Sequence, residues 1–214
     1  METSPLRHEP DHAGAIAHAL ARLHRELPTT LSYHTPWHTE GDVLPAARRL
    51  AALAGVTGMP LHLLEVGAAF HDLGYIHTFH GHEILSVNEM AAILPSFGFD
   101  DAAIGVVAGI IMATRMPQTP TSALEALMAD ADLDVLGRDD FLLTSTALWR
   151  EQAALGHAVP WQDWLRSQSR FLQNHHFFTP QAQALRQAGQ DANHALLTAM
   201  IEAGTPPDLA PPVV

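Results

Sequence analysis

Apolar residues recur every three to four positions along most of the chain, and proline, glycine or small polar residues punctuate the intervals. Ile16, Leu20, Leu23 and Leu27 mark a first helix over residues 11–27, stopped by Pro28. Thr35-Pro36 reads as an N-cap followed by proline at the first helical position, so His38 falls in the first turn of a second helix that continues to Gly55. Pro60 opens a third, apolar at Leu61, Leu64, Ala68 and Leu73 and ending at Gly74, with His71 and Asp72 in its last turn. A histidine-rich loop (75–81) leads to a fourth helix over 82–94, and Asp100 or Asp101 caps a fifth carrying Ile104, Val107 and Ile111. Residues 114–121, with Pro117 and Pro120, form a loop. A sixth helix runs from Ser122 to a stop at Gly137 with Asp130, Asp132 and Asp134 near its end, and two or three more are expected over about 139–155, 161–174 and 180–203.

This pattern predicts an all-α fold, a single compact bundle of about eight or nine helices. The domain spans 11–203, between a flexible N-terminus (1–10) and a disordered tail (204–214) with four prolines in eleven residues. Composition agrees: 47% of the 214 residues are hydrophobic, and alanine and leucine outnumber β-branched and aromatic types.

Charge narrows the partners. Acidic residues outnumber basic ones 23 to 11, a formal net charge of −12, which repels nucleic-acid polymers and anionic membranes. A small phosphate compound is still admissible, because a bound cation reverses the sign locally. No apolar stretch is long enough to span a bilayer, and residues 1–10 lack a signal-peptide core, so a cytoplasmic location is expected. Cysteine is absent, which removes disulfides and thiolate chemistry. The number of apolar helices allows a homodimer.

Among the fifteen histidines, the informative ones stand in three motifs: Tyr-His-Thr-Pro-Trp-His-Thr at 33–39, Ala-Ala-Phe-His-Asp-Leu-Gly-Tyr at 68–75, and Ala-Asp-Ala-Asp-Leu-Asp at 129–134. Histidine and carboxylate ligands on three helices can converge in a bundle core and hold one divalent ion with positions left open for water and substrate. Such an ion acidifies water and neutralises phosphoryl oxygens.

In their order these motifs resemble the HD-domain superfamily of metal-dependent phosphohydrolases, over residues 35–137 at least. The resemblance implies an all-helical HD domain, His38, His71, Asp72 and Asp132 as ligands of a single divalent metal (Mn, Fe, Zn, Co, Ni or Mg), and hydrolysis of a small phosphate ester, a nucleotide or cyclic nucleotide before others. Asp132 is preferred to its neighbour Asp130, which would then support a ligand. His34, four residues before His38, matches in part the acid that protonates the leaving oxygen in cyclic-nucleotide phosphodiesterases of the same superfamily; the bland alternative is packing against the second helix. Glu83 is a candidate general base and His82 a substrate contact, or both simply begin the fourth helix.

A second metal in the 77–83 cluster is disfavoured, because the dinuclear branch needs further histidines and none lies between His82 and His157. Alarmone hydrolysis is disfavoured because no acidic pair follows the doublet. Arg115 and Arg138 are candidate phosphate contacts, with ordinary ion pairs as the alternative. His175 could close over the site, although Leu172, Phe177 and Phe178 around it read as core. Two competing functions stay open: a non-catalytic nucleotide sensor and a dinuclear iron oxygenase of the same fold.

Overall fold

The computed structural model describes residues 9–207. The expected flexible terminus and tail therefore fall largely on residues 1–8 and 208–214, outside the described residues. Within them the regular elements are all helical. They are α1 (His12–Glu26), α2 (Leu44–Leu53), α3 (Met59–Phe70), α4 (His82–Ile93), α5 (Asp101–Met112), α6 (Ala123–Asp132), α7 (Phe141–Ala154), α8 (Trp161–Asn174) and α9 (Pro180–Glu202), joined in part by short π or 3₁₀ turns. The expected bundle of eight or nine helices is present. None of the described helices is long and apolar enough to cross a membrane.

Side-chain caps set several helix starts. Asp11, Asp100, Ser122 and Thr179 each accept from the backbone N–H three residues on, which satisfies one otherwise orphaned donor. Proline opens α3 and α9, where its missing N–H costs nothing.

α3 lies at the centre. Residues 63–70 are all buried, and the helix packs on α1, α2, α5 and α6. A helix apolar on every face has to be surrounded, and this one delivers its C-terminus, with His71 and Asp72, into the middle of the bundle. α8 and α9 pair at the other side, and α9 also packs on the 3₁₀ turn Asp134–Gly137. There Gly189 meets Gly137 with no room for a side chain: a Cβ on either would press into the other segment's backbone.

Three boundaries differ from expectation: α6 ends at Asp132 and gives way to the 3₁₀ turn Asp134–Gly137 instead of running to Gly137, and two others shape the site. The second helix begins at Pro36 as expected but runs through a π turn, His38–Val43, before α2. α3 stops at Phe70, so His71 and Asp72 sit just beyond it in a turn that leads to a 3₁₀ turn, Leu73–Ile76. The cause lies in α4. The Gly74 N–H donates to Ser86 Oγ (2.8 Å) instead of to a carbonyl one turn back. Ser86 in turn donates to the His71 carbonyl (2.6 Å), and a Cβ on Gly74 would collide with the carbonyl of His82.

Candidate metal centre

His38 on the π turn, His71 after α3 and Asp132 at the end of α6 bring one ligand atom each to within 4.8 Å of one another. Asp132 Oδ1 lies 3.4 Å from both His38 Nε2 and His71 Nε2. Asp72 Oδ2 joins them, 3.2 Å from His71 Nε2 and 3.6 Å from His38 Nε2. The four expected ligands thus converge.

The His71 ring is oriented from behind. Its Nδ1 is 2.7 Å from the Ala68 carbonyl and donates to it, which aims Nε2 at the cluster. That nitrogen and Asp72 Oδ2 are buried and have no hydrogen-bond partner. Buried polar atoms are nearly always satisfied. Two orphans facing each other, with imidazole and carboxylate chemistry, fit a divalent cation between them.

Electrostatics couple the same groups, and a cation bound among them would take the place of the proton they share. Burial works against charge on both partners, yet the two carboxylates hold the His71 imidazole well above its ordinary value. Burial would likewise raise Asp72 and Asp132, but the surrounding histidines win. Asp72 is held far below the usual carboxylate range and Asp132 is lowered to about 2. The site therefore carries anionic oxygens near neutrality.

Asp130 has a different task. It is fully buried and accepts from the backbone N–H groups of Phe178 (2.8 Å) and Thr179 (2.8 Å) and from Thr179 Oγ (2.6 Å), tying the start of α9 to α6. Its oxygens are committed there, so the expected support of a ligand is replaced by a structural cap. Burial raises its carboxyl in spite of these bonds.

The cluster floors a cavity of about 280 Å³ lined by His34, His38, Asp72, His82, Glu83 and Asp132 at one end. His82 donates through Nδ1 to the Phe79 carbonyl (3.2 Å) and turns Nε2 toward Asp72 Oδ1, 3.5 Å away. The Glu83 carboxylate is buried at the cavity wall, and its nearest ion-pair contact is His82 at 3.8 Å. His34, Tyr75 and His82 form a stack of rings, with centroid separations of 4.2 Å and 4.0 Å. The remaining histidines of the 77–83 cluster point elsewhere: His77 bonds Glu89 and His80 packs on His157.

The sequence reading missed Glu151, Tyr75 and Ser86. Glu151, fully buried on α7, accepts from His34 Nδ1 and from the backbone N–H groups of Tyr33 (2.8 Å) and His34 (3.0 Å). His34 Nε2 is left facing the cavity, 3.0 Å from the Tyr75 hydroxyl. One sign was available: Glu151 follows Ala147 and Leu148 by four and three residues, on the apolar face of its helix.

Three expected substrate contacts do not line the cavity. Arg138 is held by Asp42 (2.6 Å) and Asp140 (2.8 Å through Nε), in a separate cleft with Arg49, Asp134 and Arg186. Arg115 is exposed on its loop. His175 bonds Gln190 Oε1 through Nδ1 (3.1 Å), and burial lowers its basicity. For both Arg138 and His175 the ordinary structural partner takes the side chain.

Compared with family models, curated proteins and solved structures, the chain matches none.

Proposed function

We propose that this protein is a metal-dependent hydrolase of small phosphate esters, with the HD-type ligand set His38, His71, Asp72 and Asp132. The observation that carries the reading is the pair of buried, unpartnered ligand atoms, His71 Nε2 and Asp72 Oδ2, aimed at one point on the cavity floor. A divalent ion held there lowers the pKa of water and offsets the charge on phosphoryl oxygens.

The chain's own residues supply the rest. Hydrolysis forms a bond from water oxygen to phosphorus and breaks the bond from phosphorus to the ester oxygen, which must collect a proton as it leaves. His34 suits that step. Glu151 engages Nδ1 and fixes the ring, so Nε2 faces the cavity, and the imidazolium form of the ring is the one that donates there. Glu83, beside His82 at the cavity wall, is the carboxylate that would accept the proton the attacking water gives up. Cleavage of a diester or of a monoester with a poor leaving group gains most from such an acid. A nucleotide or cyclic nucleotide remains the first substrate class to test, by resemblance alone.

The test is metal content together with hydrolysis of bis-p-nitrophenyl phosphate, on the unmodified protein and on a His71→Ala/Asp72→Ala double variant. About one metal per chain, and activity lost in the variant, is the expected result. No metal and no turnover after addition of Mn²⁺ would leave a binding protein. Two irons per chain would indicate an oxygenase.

A further inference from the structure

The cavity above the metal ligands is unusual in what it lacks. The chain contains no lysine, so its eleven basic residues are all arginine. Among the described residues none of them lines the cavity. Most are matched to carboxylates elsewhere: Arg22 to Glu26 and Glu89, Arg48 to Glu65, Arg49 and Arg186 to Asp134, Arg138 to Asp42 and Asp140, Arg166 to Asp163. Proteins that handle di- and triphosphates surround them with guanidinium or ammonium groups.

The cavity instead presents three carboxylates, Asp72, Glu83 and Asp132, and beyond them an apolar wall of Met116, Leu136, Phe141, Leu148 and Phe171. Thr114 and Thr144 point their hydroxyl protons at carbonyls of the preceding turn, and Ser145 Oγ is taken by Trp164 Nε1. Uncharged amide and ring groups remain for a ligand: the half-buried Gln168 amide at the wall, and His34, His82 and Tyr33 at the metal end.

One divalent cation neutralises two of three carboxylate charges. A single phosphate then binds to that cation, but every further phosphate adds negative charge that no guanidinium answers. The cavity of about 280 Å³ accommodates one phosphate with an organic group beside it.

We infer that the site takes esters bearing one phosphate, with a compact apolar or aromatic group directed at the Phe141–Leu148–Phe171 wall, and rejects polyphosphates. This rests on the metal-hydrolase reading and narrows it: mononucleotides and cyclic mononucleotides stay within the class, nucleoside triphosphates fall outside it.

The experiment is calorimetric titration of the full chain, with free Mn²⁺ held constant, using phenylphosphonate as one probe and ATP as the other. Turnover of phenyl phosphate and ATP is measured in parallel. Phenylphosphonate should bind at least ten-fold more tightly than ATP. Gln168→Arg, or Leu148→Arg should the first variant not fold, should shrink that ratio by ten-fold or more by supplying the missing cation. ATP binding as tightly as phenylphosphonate, or neither binding, overturns the inference. The expected binding order without turnover of either compound sinks the hydrolase reading and keeps the ligand class. ATP hydrolysed as well as phenyl phosphate does the reverse.

Discussion

Glu151 holds His34 by ring and backbone at once, across 117 residues of sequence: one carboxylate oxygen takes the Nδ1 proton and the other accepts the N–H groups of Tyr33 and His34. The same carboxylate thereby sets the direction of a cavity imidazole and fixes the chain just before the π turn that carries His38. A group acting through His34 in this way is a positioning residue. Glu151→Gln should lower kcat about 10–100-fold with little change in KM, and should shift the basic limb of the pH profile that reports the acid. An unchanged pH profile would reduce Glu151 to a structural role.

The pH dependence of stability gives an independent reading of the same carboxylate. Burial alone would raise Glu151, but the His34 ring and the two backbone donors outweigh it and hold the carboxyl below its ordinary range. A carboxyl with a lower pKa folded than unfolded stabilises the protein at neutral pH. That contribution fades as pH falls below the unfolded value, about 4.3, and through the folded one. Urea unfolding from roughly pH 7 down to pH 3 should therefore show a shallower acid loss in Glu151→Gln than in the unmodified protein.

Asp130 and Asp132, two residues apart, should separate cleanly. Asp132→Ala should abolish metal binding, whereas Asp130→Ala should keep full metal content. The latter loses three hydrogen bonds to the Phe178–Thr179 segment that caps α9, and removal of buried bonds to a carboxylate costs about 2–4 kcal/mol. Thermal denaturation beside metal analysis decides the matter; loss of metal in Asp130→Ala with an intact fold would reverse the assignment.

Metal should also stabilise the fold. If the cation binds only the native state, a concentration 100-fold above its Kd adds about 2.7 kcal/mol, or roughly 5–10 °C in Tm for a domain of this size. Differential scanning calorimetry with and without Mn²⁺ measures it, and His71→Ala should show no such rise.

Ser86 links α4 to the His71-Asp72 doublet and, on the proposed metal reading, should behave as a ligand support. Ser86→Ala strands the Gly74 N–H and the His71 carbonyl in a buried place, at about 1–3 kcal/mol. Metal affinity should fall about 10–100-fold as the doublet loosens. Arg138→Ala, by contrast, should leave KM within about two-fold, since the ion pairs it loses are partly exposed and remote from the cavity.

What the sequence displayed well was local. α8 runs over the expected residues, and Asp100 and Ser122 cap where their spacing to the first apolar turn indicates. The convergence of His38, His71, Asp72 and Asp132 was legible because three short motifs carry them in order. The misses share one physical origin, a partner far along the chain. Arg138 meets Asp42, His175 meets Gln190, and Glu151 meets His34 only after folding. The end of α3 at Phe70 was hidden for the same reason, since Ser86 on another helix diverts the Gly74 N–H.

The π turn His38–Val43 amounts to one extra residue in a helix. Each residue of an α-helix turns the chain by about 100°, so deleting Gly41 would swing His38 away from its co-ligands while Leu44, Ala47, Leu50 and Ala51 of α2 kept their places in the core. The bulge therefore acts as a swivel between two jobs of a single rod. The ligand end has its own angular setting, and sequence drift in the packed end need not retune it.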